Sequence, residues 1–262
     1  MTFIIDFDQH DWMPVLKAEL GELLSADVGS KLSKQSLQYK EDALESLERE
    51  TSIEEVIDRT LNWIRNSRVR VFHGTRLTND EVEKVKATGM RPLDVNARVE
   101  WLRQTFPELR SVLTDDFVQH ALSKGSMEHR GNQLHAAISL KELRNAYDYL
   151  FLGSEFDRRI FEHAGRADLV PILTRRGMPR VIKMVVEGDE ALQAMHPYFP
   201  IEFTRENDRY PNFVRDLLTD FAWMLATPLY QRSGVDSCLL FRQGIPGHQV
   251  EAIETVEERA TV

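Results

Sequence analysis

A change of period at residues 66–68 constrains this chain more than any other feature. From 10 to 66 the apolar residues recur at threes and fours, as in WMPVLKAELGELL and in ALESLERETSIEEVIDRTLNWI, where Leu44, Leu47, Ile53, Val56, Ile57, Leu61 and Ile64 form one stripe. That spacing predicts helices, with Thr51 or Ser52 as a cap and Glu54 and Glu55 in the first turn that follows. From 68 onward, short β-branched runs alternate with helical ones. VRVFHGT reads as a strand, and TNDEVEKVKATG as a capped helix ending at Gly89. Residues 95–125 read as two or three helices broken near Pro107, LHAAIS as a short strand, and a helix begins near Ser154 or Glu155. RVIKMVVEG is a strand followed by a helix, FVRDLLTDFAWMLATPLYQ an amphipathic helix, VDSCLLFRQGIP a late strand, and HQVEAIETVEE a closing strand or turn. The expected class is α+β. Residues 1–66 form an N-terminal helical segment, and 67–262 hold the sheet and its inserted helices.

The 262 residues, 42% of them hydrophobic, suffice for a full core. No run is long enough to span a membrane, and the start, MTFIIDFDQHDW, has acids where a secretory leader has bases, so a cytoplasmic protein is expected. A net charge of −9 argues against non-specific coating of nucleic acid, which depends on displacing phosphate counterions with Lys and Arg. Arginines nevertheless cluster at RNSRVR, at 158–159 and at RRGMPR. They are expected to be solvated or paired with the abundant carboxylates, or to form a local basic surface.

Several chemistries are excluded by motif. There is no G-x-G-x-x-G after a strand and no G-x-x-x-x-G-K-[ST]. The eight histidines lack metal spacing, no H-E-x-x-H occurs, and no metal site is expected. GSE at 153–155 is not a nucleophile elbow. The single cysteine, Cys238, lies among Ser, Leu, Leu and Phe and reads as a buried small hydrophobe.

What remains is an order of elements: a strand ending in His73-Gly74-Thr75, a helix ending Gly-Met-x-Pro-Leu, a tyrosine-rich segment, and a late strand preceded by an acid. This order resembles the ADP-ribosyltransferase fold of the diphtheria-toxin and poly-ADP-ribose polymerase branch, over roughly residues 68–256. The chain is similar in size to bacterial ADP-ribosyltransferases of toxin–antitoxin and phage-defence systems. The resemblance implies an ADP-ribosyltransferase-like split sheet, NAD as substrate, residues 1–66 as an extension and 95–130 as an insertion. It implies His73, Gly74, Thr75 and the adjoining Arg76 as NAD-binding residues, with Tyr147 or Tyr149 stacking on nicotinamide. The acceptor is RNA, DNA or a protein, and a neutralising antitoxin is a natural partner.

Chemistry supplies reasons for these residue types. Loss of nicotinamide from C1′ of the ribose leaves an oxocarbenium-like centre, as in glycoside cleavage, which a nearby carboxylate stabilises. A histidine and a hydroxyl bond ribose hydroxyls, and a glycine permits close approach of the backbone. The family places a glutamate before its late strand, whereas this chain has Asp236, one methylene shorter. Glu155, at a helix start, is the competing acid, and Glu251 is a third. The plain structural roles stand beside these: a satisfied strand-end histidine, core tyrosines, a first-turn acid at 155 and a turn aspartate at 236. Two further functions stay open, a non-catalytic scaffold of the same fold and an NAD-using RNA 2′-phosphotransferase, the latter needing arginines such as Arg70 and Arg76 around the histidine.

Overall fold

Strand β2 (Arg68–Leu77) alternates buried Val69 and Val71 with half-buried Arg68 and Arg70, as a strand with one face on a core must. In the computed structural model, which describes residues 2–9, 11–123, 130–145, 149–198, 203, 211–227, 229 and 234–257, β2 belongs to a six-stranded sheet. The other strands are β1 (Ile4–Ile5), β3 (Leu134–Ala137), β4 (Met178–Glu187), β5 (Cys238–Phe241) and β6 (Val250–Thr255). Their order is β5-β3-β2-β4-β6, with β1 running parallel to β2 in the register Ile4–Arg68 and Ile5–Val69. β6 runs antiparallel to β4, and the register shifts between Lys183 and Met184. The protein is thus mixed α and β, as the alternating periods predict.

By internal contacts the chain divides into two compact units, each built from three stretches of sequence. The first comprises 1–71, 137–141 and 185–239. Its N-terminal helices include Trp12–Glu19, Lys40–Glu50 and Ile53–Arg65, the last burying Ile53, Val56, Ile57, Leu61 and Ile64 along the predicted stripe. They do not stand apart. The helix Asn212–Ala226 packs against Lys40–Glu50 and buries Val214, Leu217, Leu218 and Phe221. Asp220 of that helix is buried, and it accepts from Lys40 Nζ at 2.6 Å and from the Gly234 amide at 2.9 Å.

The second unit comprises 72–136, 142–184 and 240–262. Thr78 caps the helix Asn79–Thr88 by a reciprocal box with Glu81, and Gly89 ends it at φ 82°. A Cβ on Gly89 would lie 1.9 Å from the Ile245 carbonyl, so both conformation and space require glycine. The expected insertion folds as the helices Val95–Thr105 and Asp115–Ser123 with a short turn at Pro107–Leu109. Its Val99, Leu102, Phe106 and Val118 share one apolar cluster with Phe156, Ile160 and Phe161 of the helix Glu155–His163. Phe106 meets Phe161 edge to face at 5.0 Å.

Candidate functional site

β2 carries the His-Gly-Thr tripeptide at its end, within the second unit. Strand alternation puts His73 and Thr75 on one face and Gly74 on the other. His73 is half-buried, and its Nδ1 lies 2.6 Å from the backbone carbonyl of His135 in β3. A carbonyl only accepts, so Nδ1 carries the proton and Nε2 is left as the acceptor of the neutral ring. Burial holds the imidazole below its ordinary pKa, and the bond to the carbonyl opposes this only in part. The result is a neutral, orientated histidine.

His135 is a second one. Its Nε2 lies 3.0 Å from Oε1 of the buried Gln133 and 3.2 Å from Nη1 of Arg130. Burial lowers its pKa first, Arg130 and His73 lower it further, Glu155 opposes them and Arg242 adds to the lowering. Arg130 also reaches Glu155, Nη2 to Oε2 at 3.5 Å. Glu155 opens its helix after the cap Ser154, whose Oγ accepts from the Asp157 amide at 3.3 Å. His73, His135, Arg130 and Glu155 therefore form one connected chain of contacts.

The other expected site residues have different surroundings. The space left by the Cβ that Gly74 lacks is bounded by Leu143 and Leu150 at 3.2 and 3.3 Å, so this glycine fits β2 beneath two leucines. Arg76 donates to the carbonyls of Phe151 at 3.0 Å and Gly177 at 2.9 Å, tying two segments of the second unit to the strand end. Arg70 pairs with the buried Asp6 at 2.5 Å within the first unit. Tyr149 begins the short helix Tyr149–Leu152, and Tyr147 lies outside the described residues. Asp236 is half-buried just before β5, in the first unit, and Glu251 is exposed on β6 in the second.

One expectation is corrected. Cys238 is exposed, because it opens β5, the terminal strand of the sheet order, with its side chain away from the side that buries Leu239. Most of the clustered arginines are paired with carboxylates: Arg65 with Asp189, Arg68 with Glu187, Arg70 with Asp6, Arg159 with Glu162 and Arg176 with Glu81. An open groove between the helices Trp12–Glu19 and Ile53–Arg65, lined by Glu19, Glu55, Asp58 and Arg59, belongs to the first unit and contains none of the candidate residues.

Sequence reasoning missed Arg130, Gln133 and His135. The available signal was a polar alternation, Gln133-x-His135, leading into an otherwise apolar strand. No protein family, no curated protein and no solved structure matches the chain. The fold and site define a mixed α and β protein with a pinned neutral histidine linked through His135 to an Arg–Glu pair. Among the described residues no helix is long and apolar enough to cross a membrane.

Proposed function

We propose that the chain is an NAD-dependent mono-ADP-ribosyltransferase that modifies a macromolecule, RNA, DNA or protein, and releases nicotinamide. The observation that carries this reading is His73: Nδ1 is fixed on the His135 carbonyl, which leaves Nε2 of a neutral ring to accept from a ribose hydroxyl. Thr75 shares its strand face and supplies a hydroxyl. A carboxylate then stabilises the oxocarbenium-like centre as nicotinamide leaves. Glu155 is the favoured acid, since it is joined to the histidine through Arg130 and His135, and Asp236 is its rival. A cytoplasmic toxin or defence effector, restrained by an antitoxin, is the biological role that accords with the resemblance.

A non-catalytic scaffold of the same fold is the second reading, favoured by the absence of a glutamate before β5. The 2′-phosphotransferase reading has less support, since Arg70 and Arg76 are engaged with Asp6 and with backbone carbonyls. Nicotinamide release from NAD, measured with a cell extract as acceptor, tests the proposal. Wild-type protein releases it and His73→Ala does not, and labelled ADP-ribose appears in the nucleic-acid or protein fraction. Absence of release with every acceptor fraction tried, together with retained NAD binding, points to the scaffold.

A further inference from the structure

Two candidate groups are referred to the same residue. His135 holds His73 through its backbone carbonyl at 2.6 Å, and through its ring it meets Arg130 at 3.2 Å, which in turn reaches Glu155 at 3.5 Å. A guanidinium is planar and rigid, so fixing Nη1 on the imidazole fixes the direction in which Nη2 is presented. Gln133 Oε1, 3.0 Å from the same imidazole nitrogen, only accepts, so it competes with Arg130 for that nitrogen and bonds the ring only when Nε2 carries a proton. We propose that Arg130, aimed by the imidazole of His135, is the positioning residue for the Glu155 carboxylate. The inference rests on the transferase reading with Glu155 as its acid.

The chemistry at His135 Nε2 makes the arrangement conditional. That nitrogen accepts from Arg130 only while it carries no proton; with a proton on it, it donates to Gln133 Oε1 and no longer receives Arg130. The charged or titratable groups that face His135 are His73 from β2, Arg130 from the segment before β3, Glu155 from its helix and Arg242 from the segment after β5. Three of the four are cationic or become so in acid. Protonation of His135 therefore drives Arg130 off the ring and loosens its hold on the direction of the carboxylate.

The test is steady-state nicotinamide release by the full chain, with Arg130→Ala, Arg130→Lys and Arg130→Gln compared at several pH values. Thermal melts show which variants are folded. Arg130→Ala is expected to lose about 10- to 100-fold in kcat, as displacement of a reacting group does, with KM for NAD within about 2-fold of wild type. Arg130→Lys restores part of the loss and Arg130→Gln does not. The decline in kcat on the acid side of the wild-type profile is flattened in Arg130→Ala. An unchanged kcat in a folded Arg130→Ala overturns the inference and leaves the transferase reading intact. A raised KM with kcat unchanged also overturns it, by showing that Arg130 binds NAD itself. Absence of release by the wild type overturns both readings.

Discussion

His73 donates its Nδ1 proton to the backbone carbonyl of His135 at 2.6 Å, so the orientation of a side chain in β2 is set by the main chain of β3. Such a bond does not depend on the identity of residue 135. Replacing the His135 side chain removes the contact with Arg130 and keeps the one that aims His73.

Three half-buried histidines fix the direction of the pH dependence of stability. His73, His135 and His196 all have pKa values lowered by burial. Below their ordinary value, about 6.5, the unfolded chain binds protons that the folded chain resists. Their contribution is complete above that value and is lost as pH falls through the folded pKa values. The melting temperature is therefore expected to fall from pH 7.5 to pH 5, with a shallower slope in His73→Gln than in wild type. Scanning calorimetry over that range checks it, and an equal slope in both proteins would remove His73 from the account.

Arg98 and Asp157 make the most consequential ion pair in the second unit. The carboxylate is fully buried; Arg98 Nε donates to Oδ1 at 2.9 Å and Nη2 to Oδ2, while the guanidinium stacks on Trp101 at 4.0 Å. Removing one partner strands a charge in the interior, so Arg98→Ala is expected to destabilise the protein by about 3–5 kcal/mol. The double variant Arg98→Met, Asp157→Leu is expected to lose much less, since apolar groups of similar size leave no charge unpaired. Urea denaturation of wild type, single and double variants measures both.

The two acids are separable by isosteric amides. Glu155→Gln is expected to reduce nicotinamide release by about 100-fold or more, the scale of a lost catalytic carboxyl, while Asp236→Asn stays within about 10-fold of wild type. Equilibrium binding of NAD to both variants keeps a binding defect apart from a chemical one. The reverse order would assign the chemistry to Asp236 and withdraw the role given to Arg130.

Much of the scaffold was legible because it rests on local rules. Thr78, Glu81 and Gly89 mark the ends of their helix by capping chemistry alone, and the stripe from Ile53 to Ile64 buries the residues its spacing selects. β1 was not legible: two isoleucines carry no period, and their partners Arg68 and Val69 lie more than sixty residues away. The bond from His73 to the His135 carbonyl escaped for the same reason, since it arises where β3 is laid beside β2, whereas Arg130 and Gln133 meet His135 from within one short stretch that carries no motif. Gly74 shows the ambiguity of a single glycine. From sequence it suits an approaching ligand, whereas its neighbours are Leu143 and Leu150. Cys238 shows that apolar neighbours do not guarantee burial when the strand stands at the end of a sheet.

The packing of Lys40–Glu50 against Asn212–Ala226 has a consequence for the newborn chain. About 160 residues separate the two helices, which at about 5–20 residues per second is roughly 10–30 s of translation. For that interval the apolar stripe of the first helix leaves the ribosome without the surface that later covers it, so the N-terminal third is a natural client for whatever shields nascent polypeptides.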